Sequence, residues 1–220
     1  MMKLIQSLDE ALYSVMSWLV FYPLTFWRTM IRPLEMMAYA DREASDRGED
    51  QYDDAIRPPL FLFITLLISH GLELLVMGQN PLIADRHGLA ALVDSDFALL
   101  GLRLLLFSLF TLTMAVTLLR RQGTRLTHTS LRRPFYGQCF AAAPFALLIG
   151  IGTLMMSGGR PMLDVAGLVT IVAALVWYLG VQSLWFSRKL GISMLAGFGN
   201  AALATIISLV LFVSAAVIIS

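Results

Sequence analysis

The sequence has few charged residues and a single cysteine, and each shortage excludes a class of protein. Only 14% of its 220 residues are charged, whereas a soluble domain carries about 25%. The lone Cys139 excludes an intrachain disulfide and argues against a thiolate metal site. No Walker A loop, HExxH, GxSxG or Asp-rich metal motif occurs. We therefore expect a protein that is not an enzyme, uses no metal or cofactor and has no nucleic-acid partner.

Apolar residues, in contrast, make up 58% of the chain and are gathered in blocks. Each block is close to the roughly 20 residues that a helix needs to cross a bilayer. Because only helices satisfy their own backbone groups in lipid, the blocks predict an all-α, polytopic integral membrane protein whose partner is the lipid bilayer. The transmembrane domain at 60–220 would hold five spans, at about 60–78, 97–119, 135–156, 163–186 and 192–219.

Residues 1–40 precede these spans and show the pattern of amphipathic helices that lie in the membrane interface. Pro23 is expected to break the first of these helices, and a second short helix is predicted over 26–40. Whether residues 11–27 lie in the interface or enter the membrane stays open at this point.

Residues 41–59 have a different composition and predict a solvated, mobile acidic linker. Seven of the residues between 41 and 57 are acidic, and Pro58 and Pro59 come next. One interpretation is a spacer before the first span. The other is an acidic docking strip for a basic partner.

Lysine and arginine are distributed unevenly between the predicted loops. Thirteen of the 16 lie in the N-terminal region and in the loops after the second and fourth spans. Only Arg86 and Arg160 lie in the loops on the opposite side. The positive-inside rule therefore predicts a cytoplasmic N-terminus, and five spans then place the C-terminus on the periplasmic or extracellular side.

Three titratable residues fall inside the predicted spans. His70 and Glu73 lie three apart on one face of the first span, and Arg103 lies near the start of the second. Since charge in a bilayer is costly, we predict an ion pair between Glu73 and Arg103. The pair is interpreted as a structural contact, as a proton or substrate site that includes His70, or as side chains that snorkel to the interface. A lone His-x-x-Glu supplies too few ligands to predict a metal site.

Small and polar residues elsewhere in the spans predict contacts between helices. Pro144 should kink the third span. The glycines expected to permit close helix approach are Gly150, Gly152, Gly197 and Gly199. The side chains expected to hydrogen-bond between helices or to lipid headgroups are Gln138, Cys139, Gln182 and Asn200.

Three stretches of the chain form a recognisable pattern. LRRPFYGQCFAAAPFALLIG at 131–150 is a basic loop that leads into an aromatic-rich helix with a central proline. Residues 176–203 have a Trp-bearing span, a short basic turn with a glycine and a last span rich in small residues, and YPLTFWRTMIRP at 22–33 leads by a polar linker to PPL and the first span. This pattern resembles the bacterial branch of the Yip (Ypt-interacting-protein) domain family.

The resemblance implies five spans, a cytoplasmic N-terminus and a place in the bacterial inner membrane, where such proteins are sometimes called permeases. Eukaryotic members of that family act in vesicle trafficking with small GTPases, but their N-terminal hallmarks do not occur in this sequence. The GTPase association is therefore not carried over to this chain.

Two function classes are consistent with these observations, and a third, an intramembrane enzyme acting on lipid, is disfavoured because no nucleophile and base lie at a usable spacing. The first is a non-enzymatic inner-membrane scaffold or assembly factor that engages a cytoplasmic partner through residues 1–57. The alternative is a small transporter or channel subunit that uses His70, Glu73 and Arg103. Five spans are few for a transporter, so the alternative would require a homo-oligomer.

Overall fold

The computed structural model describes residues 2–44, 52, 54–77 and 96–219, and this part of the chain is helical and contains no strand. Its helices are α1 (Met2–Ile31), α2 (Pro33–Glu43), α3 (Pro58–Met77), α4 (Asp96–Arg121), α5 (His128–Met156), α6 (Pro161–Leu190) and α7 (Met194–Ile219). Five of them, α3 to α7, are long and apolar enough to cross a membrane. The predicted all-α, multi-pass membrane fold is confirmed, with span limits within a few residues of those expected except at the N-terminus of α5.

Helix α5 is the centre of the bundle. It packs against α2, α3, α4 and α6, while α7 closes the bundle by packing on α4 and α6. The run from Gly137 to Ala146 is buried on every side of the helix. A helix that is apolar all round belongs in the interior, and the three successive alanines at 141–143 let its neighbours approach closely.

The basic residues of the predicted cytoplasmic loops meet at one end of the bundle. Short connections at 122–127 and 191–193 make α4 and α6 antiparallel to the helices that come after them. Lys189 at the end of α6 forms a 2.5 Å ion pair with Asp41 of α2, which joins this end to the N-terminal region. We call this the basic end, and it carries Arg28, Arg32, Arg42, Arg57, Arg120, Arg121, Arg125, Arg132, Arg133, Arg188 and Lys189. Arg86 lies outside the described residues.

The expected break at Pro23 is wrong, because α1 continues through it to Ile31. Pro23 is exposed, and so is Leu19, whose backbone carbonyl loses its donor, so that carbonyl is not trapped in the interior. The chain bends instead at Arg32, whose backbone is not helical, and Pro33 occupies the first turn of α2. The side chains of residues 1–15, on which the amphipathic prediction partly rests, lie outside the described residues.

The second half of α1 has an inner and an outer face. On the inner face, Tyr22 donates a 3.2 Å hydrogen bond to the Thr65 hydroxyl, and the Thr25 hydroxyl accepts one from the Ile56 backbone N–H at 3.3 Å. The exposed outer face is an apolar stripe of Met16, Leu19, Val20, Leu24, Trp27 and Ile31. An outward apolar stripe on a helix that already packs inward is typical of a helix in contact with lipid.

The acidic linker predicted at 41–59 is shorter and less solvated than expected. Helix α2 extends to Glu43 and α3 begins at Pro58, while Tyr52, Ala55 and Ile56 are buried. Residues 45–51 and 53, which carry most of the acidic side chains, lie outside the described residues. The prediction is therefore wrong at both ends of the linker, which pack on the bundle.

Tyr52 anchors this segment to α2 and α5. Its backbone N–H donates to the Glu43 carboxylate at 3.0 Å, and its ring packs edge-on to Tyr39 and against Tyr136, with centroids at 5.9 and 6.2 Å. Its φ of 68° is rare for a bulky residue, so these contacts must hold it in that conformation. Burial first, and Tyr136 second, raise the pKa of the Tyr52 phenol above its ordinary value, so the packed ring stays neutral.

We expect Tyr52→Ala to loosen α2, because burial of one aromatic ring contributes about 1.5–3 kcal/mol. Backbone hydrogen exchange in residues 33–43 should rise by about tenfold in this variant. Tyr52→Phe is the matched control, since it keeps the ring and loses only a long 3.4 Å hydrogen bond to the Ala40 carbonyl. Equal exchange rates in the two variants would mean that the ring does not anchor the segment.

Glycines set the closest approaches between neighbouring spans. A Cβ atom added to Gly150 would meet the Ser69 side chain, one on Gly152 would lie 2.9 Å from the Gly167 carbonyl oxygen, and one on Gly197 would meet the Ser183 backbone. These contacts confirm the prediction of close helix approach at three of the four glycines. Gly199 is the exception, since nothing lies within 4 Å of a Cβ built there.

Candidate functional site

The buried face of α3 changes from apolar to polar along its length. Its buried residues recur three and four apart from Pro58 to Glu73, which places them on one face of the helix. Near the basic end this face carries Phe61, Leu62 and Leu66, and toward the other end it carries Ser69, His70 and Glu73. Hydropathy alone does not reveal such a gradient, because the mean over the span remains strongly apolar.

The predicted ion pair between Glu73 and Arg103 is confirmed. An Arg103 guanidinium nitrogen donates to a Glu73 carboxylate oxygen at 2.6 Å, and the side chains are 6% and 20% exposed for Glu73 and Arg103. Glu73 lies four residues before the end of α3, which is about 6 Å along the helix axis. The pair therefore joins α3 to α4 near the end of the bundle that faces away from the basic end.

His70 lies on the same buried face of α3, nearly one turn before Glu73, and is only 4% exposed. The structure thus places the three residues expected from the sequence in one region, with two of them in direct contact. No group of three or more His, Cys, Asp or Glu side chains suited to a metal ion occurs in the described ranges. The arrangement can hold two helices together and keep one carboxylate and one guanidinium neutralised inside the membrane.

A second polar contact lies deeper in the bundle, between α5 and α6. Gln138 and Gln182 exchange two amide hydrogen bonds, of 3.1 and 2.5 Å, and both residues are fully buried. The expectation that each bonds between helices is confirmed, but their mutual pairing was not predicted. They are 44 residues apart, so only the packing of α5 on α6 brings them together. Cys139, the next residue in the sequence after Gln138, is also buried.

We expect Gln138→Leu to destabilise the protein by about 1–2 kcal/mol, because the Gln182 amide would lose both of its hydrogen bonds to Gln138 inside the bundle. The double variant Gln138→Leu/Gln182→Leu should recover most of this loss, since both amides are then replaced by apolar groups of similar volume. Thermal unfolding in detergent measures the difference. A double variant less stable than either single variant would contradict the pairing.

Pro144 lies inside α5, and the helix runs through it without a break from His128 to Met156. The residue is buried at the centre of the bundle. Its ring removes the donor for the carbonyl of Phe140, which is also buried. The kink expected at Pro144 stays a prediction.

The basic end holds the other concentration of polar side chains. There α2 and Tyr52 pack on α5. Together with residues 54–57, of which Ala55 and Ile56 are buried, they are called the N-terminal platform. Met36, Met37 and Ala40 of α2 are buried in this contact. A Cβ on Gly137 of α5 would lie 3.3 Å from the Met37 carbonyl oxygen, so the two backbones are nearly in contact. The amphipathic pattern of residues 1–40 is consistent with an apolar face on this helix, but it did not identify α5 as the partner, because periodicity does not show which surface a face packs on.

No protein-family model matches the chain, and no curated protein sequence or solved structure matches it either. The resemblance to the Yip domain family therefore stays a prediction. Function must accordingly be inferred from the geometry of the described residues.

Proposed function

We propose that this chain is a non-enzymatic scaffold or assembly factor of the Yip-like class in the bacterial inner membrane. The basic end would face the cytoplasm, because arginine and lysine concentrate on the cytoplasmic side of membrane proteins. The N-terminal platform would then be presented to cytoplasmic partners, and the C-terminus would lie on the periplasmic side.

The observation that carries this proposal is the packed state of the N-terminal platform. Its inner face is held by the buried residues of α2, by Tyr52 and by the hydrogen bond from Ile56 to Thr25. A surface that is already ordered does not lose conformational entropy when a partner binds, which favours recognition.

The outer face of the platform carries charge of both signs. Its exposed charged residues are Glu35, Arg42, Asp54 and Arg57, and the exposed Arg32 immediately precedes it. Arg32 and Glu35 form an ion pair at 3.5 Å, and their side chains are 68% and 70% exposed. Such an exposed pair contributes little to stability, so both side chains are available to contact a partner. Mixed charge on a rigid face suits recognition of a charged protein surface through complementarity.

A site-specific photo-crosslinker at Glu35 tests the proposal in intact cells. We expect discrete protein adducts at Glu35 and only lipid adducts at Leu203, an exposed residue of α7 that serves as the control. Gly137→Leu should abolish the protein adducts, because the new side chain would displace α2 from α5. Identical adduct patterns at Glu35 and Leu203 would refute the scaffold proposal.

The proposed topology makes a separate prediction for the C-terminus. A reporter enzyme that is active only in the periplasm should be active when fused after Ser220, because five spans separate it from a cytoplasmic basic end. The same reporter inserted at Thr124, in the connection after α4, should be inactive. Activity in the reverse pattern would overturn the orientation.

The alternative function, a small transporter or channel subunit, draws its support from the burial of His70 beside the ion pair of Glu73 and Arg103. It predicts ion or substrate flux in reconstituted vesicles that Glu73→Gln abolishes. The scaffold proposal predicts no flux in either protein. A crosslinked homo-oligomer with measurable flux would favour the alternative.

A further inference from the structure

A groove of about 580 Å³ opens at the basic end between α2, the connection from α4 to α5 and the end of α6. Its floor is formed by apolar residues of the last turn of α4 and the first turns of α5, namely Leu118, Leu119 and Pro134. Its rim carries three cationic side chains and one carboxylate, namely Arg42, Arg133, Lys189 and Asp41, together with several hydroxyl and amide side chains. The groove is thus apolar on the inside and cationic at its mouth.

The cationic groups of this groove are not equivalent. Lys189 is neutralised by Asp41 at 2.5 Å and also lies 4.7 Å from the centroid of the Trp185 ring. Arg42 and Arg133 have no ion-pair partner among the described residues, and both are exposed. Two guanidinium groups therefore remain to bind an anion at the mouth of the groove.

Some of the hydroxyl groups around the groove already form hydrogen bonds within the protein. Thr127 and Ser130 bond to each other and to the backbone in the capping box that begins α5. Thr124 and Thr129 line the same groove, and both are exposed. They can donate hydrogen bonds to an anion that the two arginines hold.

The depth of the groove indicates which anion it meets. The groove lies within about two turns of Arg121, His128 and Leu190, where α4 ends, α5 begins and α6 ends. Lipid headgroups lie at this level, just outside the hydrocarbon core. Arginine binds phosphate oxygens through two parallel N–H donors, and an apolar floor suits the glycerol and first acyl carbons of a lipid.

We propose that this groove binds the phosphate headgroup of an anionic phospholipid from the leaflet at the basic end, between Arg42 and Arg133. Because Arg42 belongs to α2 and Arg133 to α5, the bound lipid would join the N-terminal platform to the transmembrane domain. The inference does not depend on the scaffold proposal, since its test measures lipid and not a protein partner.

The test compares two variants that remove the same charge from the same end of the protein. Arg42→Gln/Arg133→Gln removes both groove arginines, and Arg121→Gln/Arg125→Gln removes two exposed arginines that do not line the groove. Native mass spectrometry counts phosphatidylglycerol bound to each purified protein during a titration, with phosphatidylcholine as the neutral probe. We expect about thirtyfold weaker phosphatidylglycerol binding in the groove variant, as two lost charge contacts imply. The control should lose less than about twofold, because its arginines do not line the groove.

A third variant separates a defined site from general attraction to charge. Thr129→Trp keeps every charge and places a bulky indole ring in the groove. Thr129 is exposed in the first turn of α5, so the substitution should leave the fold intact. It should therefore weaken phosphatidylglycerol binding as the arginine variant does. It also provides the answer if the double arginine variant fails to fold. Equal loss in the arginine variant and its control, or full binding by Thr129→Trp, would overturn the proposal.

A competition experiment with a soluble phosphate compound distinguishes a lipid ligand from a free phosphate compound. Glycerol phosphate at millimolar concentration should not displace bound phosphatidylglycerol, because it lacks the acyl carbons that contact the floor. Displacement at concentrations equal to those of the lipid would assign the groove to a soluble phosphate and overturn the lipid assignment.

Discussion

Replacing Gly197 by alanine should destabilise the protein, whereas replacing Gly199 on the same helix should not. The new Cβ at position 197 would meet the Ser183 carbonyl oxygen and lie 3.1 Å from the Ser187 nitrogen, both of them backbone atoms of α6. A backbone cannot rotate away as a side chain can, so α6 and α7 must separate. Overpacking of this kind costs about 1–3 kcal/mol.

Gly199→Ala is a matched control because a Cβ there meets nothing within 4 Å. Alanine also favours the helix over glycine by about 1 kcal/mol, so this control should be neutral or slightly stabilising. The two substitutions are therefore expected to shift the melting temperature in opposite directions. A fall of equal size in both variants would mean that a factor common to both positions, such as lipid contact, and not packing on α6, decides the result.

The same contrast is expected at the contact between α5 and α6. A Cβ on Gly167 would lie 2.5 Å from the Gly152 carbonyl oxygen, whereas one on Gly180 of the same helix meets nothing within 4 Å. Gly167→Ala should therefore destabilise the protein, and Gly180→Ala should not. The sequence pattern indicated Gly152 but not its partner Gly167, because no single-span pattern shows which glycines face each other.

Glu73→Gln should destabilise the protein by about 2–4 kcal/mol, the second large effect that the structure predicts. The substitution leaves the Arg103 guanidinium charged and without its 2.6 Å partner in a largely buried place. We expect the lower part of this range, because the Arg103 side chain keeps 20% of its surface exposed and can reach toward the interface. Unfolding in mixed detergent micelles measures the change.

A double-mutant cycle isolates the pair from other effects of the substitution. The double variant Glu73→Gln/Arg103→Gln should be more stable than Glu73→Gln alone, since no unpaired charge remains. Glu35→Gln provides the comparison at an exposed pair, where less than about 0.5 kcal/mol is expected. Additive losses at positions 73 and 103 would show that the ion pair contributes nothing to the contact between α3 and α4.

Local patterns in the sequence were sufficient for much of the fold. Lipid requires long apolar helices with satisfied backbones, so hydropathy alone located five spans to within a few residues at most of their ends. The ion pair of Glu73 and Arg103 was also predictable, because two opposite charges in neighbouring spans have few other ways to be neutralised.

Proline shows where local reasoning failed. Pro23 and Pro33 are both preceded by helical sequence, yet α1 continues through the first and ends before the second. A proline removes one donor in either case, and the outcome depends on whether the freed carbonyl faces the surface and on where the next helix must pack. At Pro33 the chain must turn so that α2 can pack on α5, a requirement that only tertiary contacts impose.

By itself, the sequence determined the five membrane-crossing helices, the concentration of basic residues in alternate loops and the intramembrane ion pair. Each of these follows from local sequence, because lipid requires long apolar helices and makes an unpaired charge costly. Only the tertiary structure decided that Tyr52 is buried, that Gln138 pairs with Gln182 and that the N-terminal platform packs on α5. Those contacts join residues far apart in the chain, and their side chains are compatible with solvent as well as with burial. The low charge and the single cysteine argued against whole classes of protein, but only the packing of the helices brought the few polar side chains inside the bundle together.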